Sequence, residues 1–227
     1  MTTPAPLGLT PRAVGCISGP GPRGAWSRRR WIAGALGGLA AHWSGAAQAA
    51  PRLAARDLSR AERLQLVQGG QVRRQLTFYQ GDAKYVGGLS YQRCRRPPAE
   101  VVTRLQDVAA VRAVLPKVRE ARRLAAPSGQ HRFALVQGTS LYSAGYTVVA
   151  ERPAPAATEL RFWLDPQDPH EIDDVWGFFR AQAFGAGSLI SVGVALDLGD
   201  GIIRWLFEER IVEVMLDMPR RIRDFVD

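Results

Sequence analysis

Between residues 117 and 197 apolar and polar side chains alternate with a period close to two, and beyond residue 201 the period lengthens to three and four. A period of two puts alternate side chains on opposite faces of a strand, whereas steps of three and four line up one face of a helix. The first pattern predicts strands at 117–124, 131–138, 143–152, 158–165, 174–184 and 188–197. Turn formers separate them: Pro127-Ser128-Gly129, Gly138-Thr139-Ser140, Pro153 with Pro155, Pro166 with Pro169, and Gly185 with Gly187. Links this short favour antiparallel neighbours, because a parallel return needs a long crossover. The second pattern predicts one helix over 201–226. Ile203, Phe207, Ile211, Val214, Met218, Ile222 and Phe225 share its apolar face, while Arg210, Glu213, Asp217, Arg220 and Asp224 share a charged one. Asp200 is placed to cap its start. Pro219 should kink it or split off its last turns, since the ring collides with the preceding turn.

Upstream the signals are shorter. Ser59 and Glu62 have capping-box spacing for a helix over 59–68, with Ala61, Leu64 and Val67 as a weak stripe that Leu66 leaves, and Gly69-Gly70 ending it. Strands follow at 71–79 and 84–93, joined at Gly81-Asp82, the second crossing Gly87-Gly88. Pro97-Pro98 opens a helix over 97–107 with Val101, Val102 and Leu105 on one face. Another helix, 108–115, stops before Pro116, because the residue preceding proline avoids the α region. The fold class is α+β.

Strand parity sorts candidate side chains by face. Tyr146 goes with Val148, and Leu160 with Phe162. Trp176, Phe178 and Arg180 lie opposite Val175, Gly177 and Phe179. An arginine among apolar neighbours is costly to bury unpaired. Arg180 therefore reaches solvent, pairs with an acid, or holds an anionic ligand head.

Composition changes the picture mainly at the N-terminus. The 227 residues are 46% apolar and 22% charged, as expected of a folded chain, and carry a formal charge of +9. Residues 1–49 contain five arginines and no acid, so the remainder carries only +4. Without a basic stripe interleaved with aromatics, that charge does not point to nucleic acid. A basic stretch, Arg28-Arg29-Arg30, is followed by a short apolar segment and Ala47-Gln48-Ala49. These are the three parts of a secretory signal, with cleavage near Ala49-Ala50 and a periplasmic or secreted mature protein. The arrangement resembles a twin-arginine (Tat) signal, with Arg28-Arg29 as the pair and Trp31 and Ile32 in the bulky places. That implies the twin-arginine export machinery as a partner of the precursor.

Cleavage would remove Cys16 and leave Cys94 as a lone thiol, so no intramolecular disulfide and no metal-ligand spacing is expected. The run from Asp165 to Asp174 clusters acids around His170, but its spacing fits no calcium or zinc motif and reads as a solvated loop. His131 stands alone at a strand start. Neither Ser188 nor Ser191 has a nucleophile-elbow context. No catalytic residue, metal or cofactor is assigned.

The element order, with Pro97-Pro98-Ala99-Glu100-Val101-Val102 opening the first of two short helices and Val114-Leu115-Pro116 closing the second, resembles the START-like (SRPBCC) superfamily of polyketide cyclase-like and lipid-transfer proteins. The glycine turn at 185–187 and the final helix complete the match over residues 85–226. The resemblance implies a helix-grip: a curved antiparallel sheet of six to seven strands wrapped around the long C-terminal helix, with an apolar cavity between. It divides the chain into a signal (1–49), an N-terminal extension (50–84) and a START-like domain (85–227). The implied ligand is a small hydrophobic or lipid-like molecule, with transient contact at a membrane surface, held by Tyr146, Phe162, Trp176, Phe178, Arg180, Phe207, Ile211, Met215 and Met218. The methionines suit an adaptable lining, or are core filler. Carrier or binder is the leading expectation. A cyclase, dehydratase or hydrolase using Tyr146, Arg180 and His131 is the alternative, and a protein-interaction module the third.

Overall fold

The computed structural model of the chain describes residues 58–139, 143–199 and 202–227, the last with side chains from residue 208 onward. The export signal over 1–49, Cys16, the Asp200 cap and the side chains of Ile203 and Phe207 lie outside the described residues.

Helix α1 (Arg60–Val67) leads into strands β1 (Gln71–Gln80) and β2 (Ala83–Cys94), then helices α2 (Pro98–Arg104) and α3 (Val108–Val114). Strands β3 (Val118–Leu124), β4 (Gln130–Gly138), β5 (Ser143–Glu151), β6 (Glu159–Leu164), β7 (Asp174–Phe184) and β8 (Gly187–Asp197) follow. Helices α4 (Ile202–Leu216) and α5 (Met218–Val226) end the chain. Among the described residues eight strands form one sheet in the order β1-β2-β8-β7-β6-β5-β4-β3. Every neighbouring pair is antiparallel. The topology follows from the link lengths. Short turns drive the meander from β3 to β8, and α2 and α3 carry the chain from β2 to the opposite edge. Strand β1, upstream of the expected START-like segment, pairs with β2 along its whole length.

The two faces of the sheet are packed differently. On the inner face Ile190, Val192, Val194 and Leu196 of β8 join Met215, Met218, Ile222 and Val226 of the C-terminal helices in the main core. On the outer face Leu58 and Leu66 pack with Val72, Leu89, Tyr91 and Leu189. Each such side chain removed from water contributes about 1.5–3 kcal/mol before entropy is counted. Covered on both faces, β8 is buried along its entire length. Gly87 and Gly88 hold φ of +151° and +146°. A β-carbon would fall 2.0 Å from the Val194 carbonyl oxygen at Gly87 and 2.1 Å from that of Arg74 at Gly88. Only glycine lets β2 approach both neighbours so closely.

Some sequence expectations change. The sheet has eight strands rather than the expected six to seven, because β1 of the N-terminal extension pairs along β2. Helix α1 keeps the expected capping box, with Glu62 N–H donating to Ser59 Oγ and Ser59 N–H to Glu62 Oε2. It docks, however, through Leu66, fully buried, while Leu64 and Val67 of the expected stripe remain exposed. The reason is tertiary: Glu62 is held by Arg74 of β1 at 2.8 Å, which turns the Leu66 side toward the sheet. At the other end the helix is split in two, as Pro219 demanded, and α5 starts immediately before the proline. Asp217, expected on the charged face, is buried at the break and receives Arg73 of β1 at 2.7 Å as well as Arg220.

Candidate functional site

Helix α3 lies against β3 and helix α4 against β1 and β2, and between them the inner face is left unfilled. About 240 Å³ remains between them and the sheet. Deep in this space lie Val148 and Ala150 of β5, Leu160 and Phe162 of β6, and Val175 and Phe179 of β7. Phe162 and Phe179 meet with ring centres 5.0 Å apart. Gly177 between Val175 and Phe179 leaves room for that ring, since a β-carbon there would sit 2.5 Å from Phe162 Cζ. Helix α3 contributes Ala110, Val111 and Val114, and the C-terminal helices contribute Ile211, Val214, Met215 and Met218. Exposed Lys117, Thr139 and Arg210 mark the mouth. Lys117 has a φ of 52°, uncommon for a residue with a side chain, where the chain turns from α3 into β3.

Among the described residues two polar side chains, Tyr146 and Gln137, stand inside this apolar wall. Tyr146 of β5 donates its hydroxyl hydrogen to Gln137 Oε1, and Gln137 Nε2 donates to the Pro116 carbonyl at 2.7 Å. The two strands make this possible by register: Tyr146 faces Leu135, so Gln137, two residues on along β4, shares its face. Burial alone drives the Tyr146 phenol well above its usual pKa. Its side chain nevertheless keeps partial exposure, because that surface is the wall of the cavity.

The structure brings together Tyr146, Phe162, Ile211, Met215 and Met218 of the expected set. It places Trp176, Phe178 and Arg180 on the outer face, away from the cavity. Trp176 packs against Phe78 and Tyr85, with centroids 6.0 and 6.1 Å away. Phe178 joins the outer cluster. Arg180 lies over the Phe178 ring and pairs with Glu159, its direct neighbour across the β6–β7 ladder, through Nε at 2.7 Å. Burial pushes the Glu159 carboxyl up, but hydrogen bonds from Arg161 and Arg180 outweigh it and hold the group below the usual carboxylate range. Parity assigns β7 its two faces correctly, but both faces carry aromatics, and the inward one is Val175, Gly177 and Phe179. Glu159 and Arg161 alternate with Leu160 and Phe162 in the neighbouring strand. Matching Arg180 to that charged side would have turned β7 the right way.

The remaining candidates do not converge on the cavity. His131 Nδ1 is 2.8 Å from the Arg123 guanidinium, and burial together with Arg123 and Arg152 lowers its pKa. Tyr146, Arg180 and His131 therefore share no site. Cys94 is buried, which pushes its thiol up, and its Sγ lies 3.8 Å from the Arg96 carbonyl. The acidic loop is less solvated than its sequence suggests. Arg132 holds Asp165 at 2.8 Å and Asp168 at 3.0 Å, and Glu171 accepts the Gly145 N–H at 2.6 Å. Gln137, which pattern alone does not nominate, could have been found as the one amide sharing its strand face with Phe133 and Leu135.

No family model matches the chain, and no curated protein matches it. Solved structures do match its fold. The STAR-related lipid transfer protein of Xanthomonas axonopodis superposes with a TM-score of 0.54 at 15% identity, over 67% of this chain and 98% of that one. The protein TTHA0849 of Thermus thermophilus gives 0.52 at 15% identity, over 61% and 94%. The di-domain ARO/CYC StfQ of the steffimycin biosynthetic pathway gives 0.50 at 10% identity, over 63% and 51%. The large antiparallel sheet closed by C-terminal helices, a helix-grip fold, is shared with these structures.

Proposed function

We propose that the chain binds and carries a small hydrophobic or lipid-like molecule between the sheet and the C-terminal helices, and does so without catalysing a reaction on it. The observation that supports this most is the unfilled apolar space itself. Protein interiors normally leave few voids larger than a water molecule. A dry apolar cavity of about 150 Å³ already accepts benzene. The roughly 240 Å³ here suits a small ring system or a short alkyl chain better than a large lipid. The lipid-transfer name of the Xanthomonas neighbour agrees with that reading. The mature protein is further proposed to act outside the cytoplasm, after export on the Arg28-Arg29 signal.

The test is native mass spectrometry of the purified protein, followed by organic extraction, together with displacement of an environment-sensitive naphthalene dye. A co-purified apolar molecule, or saturable dye binding competed by alkanols, supports the reading. A protein that carries nothing and binds neither dye nor alkanol overturns it.

A further inference from the structure

Resting on that binding reading, we propose that the ligand carries a hydrogen-bond donor, a hydroxyl group, which it offers to the Tyr146 oxygen. The direction of each hydrogen bond in the Pro116–Gln137–Tyr146 chain is fixed from one end. The Pro116 carbonyl can only accept, so the Gln137 amide must present its nitrogen to it, at 2.7 Å. This orientation turns Gln137 Oε1 toward Tyr146, and an amide oxygen also only accepts. The phenol hydrogen is thereby committed to Gln137, and Tyr146, which lines the cavity, keeps only lone pairs on Oη to offer a ligand. A ligand carbonyl or ether oxygen placed there meets another acceptor, whereas an alcohol or phenol completes the chain from ligand to Tyr146 to Gln137 to Pro116. The apolar body of such a ligand then lies along Ala150, Leu160 and Phe162.

Gln137 keeps a second amide hydrogen, and two variants separate its contribution from that of the phenol oxygen. Binding of n-octanol, the methyl ketone of equal length and methyl heptyl ether is measured by dye displacement on the wild type, Tyr146→Phe and Gln137→Met. Each affinity is corrected for the ligand's own water-to-alkane partition, so that differences in hydrophobicity cancel. The expected result is a wild-type preference for the alcohol of about 5–10-fold, the range of one net hydrogen bond. Tyr146→Phe should abolish it. Gln137→Met should release the phenol hydrogen, so that the ketone gains on the alcohol. Equal binding of all three by the wild type, or a preference unchanged in Tyr146→Phe, overturns the inference alone. If none of the three binds the wild type, the cavity-binding reading falls with it. Circular dichroism of both variants confirms that they fold, and Gln137→Met gives an answer independent of the phenol's removal.

Discussion

Asp217 and Arg73 meet at 2.7 Å, joining the break between α4 and α5 to the first strand of the sheet. The carboxylate also receives Arg220 Nε at 2.8 Å, and Gln71 of the same strand donates to the Leu216 carbonyl beside it. The place where Pro219 interrupts the helix is thus fastened by side chains as well as by backbone hydrogen bonds from Asp217 N–H to the Val214 carbonyl and from Arg221 N–H to the Asp217 carbonyl. Asp217→Asn should cost about 1.5–3 kcal/mol, the range for hydrogen bonds to a charged group, read as a lower denaturation midpoint at neutral pH.

That loss should depend on pH. Burial raises the Asp217 carboxyl, but Arg220, Arg73 and Arg221 outweigh it, and the folded pKa lies below the ordinary value. A depressed carboxylate stabilises the fold above its unfolded pKa of about 3.9, and that stability disappears as pH falls through the folded value. Wild type and Asp217→Asn should converge in thermal unfolding as the pH is lowered below about 4. A gap that persists unchanged in acid would contradict the ion-pair account.

Asp174 should behave in the opposite sense. Burial, aided by Asp197, raises its pKa despite the Tyr85 hydroxyl that donates to it at 2.7 Å. A raised carboxyl binds its proton more tightly when folded, so it costs stability once pH exceeds the unfolded value. Asp174→Asn keeps an acceptor for Tyr85 and removes the charge. Its melting temperature should exceed that of the wild type at neutral pH, with the advantage shrinking toward about pH 3.

Arg180 separates the outer face from the cavity. Arg180→Ala should leave dye and alkanol binding within about two-fold of wild type while lowering stability by about 1–3 kcal/mol, because Glu159 loses a partner in a half-buried position. A large loss of binding with intact folding would put the ligand on the outer face instead.

Ala150→Phe tests the cavity from the other direction. Ala150 is 5% exposed and lines the cavity, so a ring there occupies the space a ligand would use. Binding should fall more than about ten-fold. Stability should hold or rise, since filling a void commonly adds about 0.5–2 kcal/mol. Titration and thermal melting of the same sample distinguish this from simple misfolding.

The elements are legible in the sequence because short links and parity leave few alternatives: a meander of strands and an apolar terminal helix have one economical way to pack. That helix also buries Val212 and Leu216, which lie off the expected stripe. The capping box at Ser59 and Glu62, the turn at Gly185 and the break at Pro219 are local signals, and local signals survive folding. The choice between faces is not legible in the same way. Val175, Gly177 and Phe179 are no more apolar than Trp176 and Phe178, so only the neighbour that Arg180 would meet, Glu159, can decide. Leu66 escapes the pattern for the same reason: its burial depends on where Arg74 holds Glu62, a contact between segments twelve residues apart. Gln137 stays hidden because its role arises from the carbonyl of Pro116, and backbone groups leave no mark in a pattern of side chains.

The unfilled space has an evolutionary reading as well. Where side chains interlock, each substitution disturbs several others, and close packing restricts drift. Around a void a side chain has fewer partners to disturb, so cavity-lining residues such as Val111 or Val148 can be exchanged at a smaller penalty to the architecture than the enclosed residues of β8. A scaffold with one fully enclosed strand and one hollow flank can therefore change what it accommodates while keeping its shape. That division of labour suits chains that superpose on this one at only 10–15% identity.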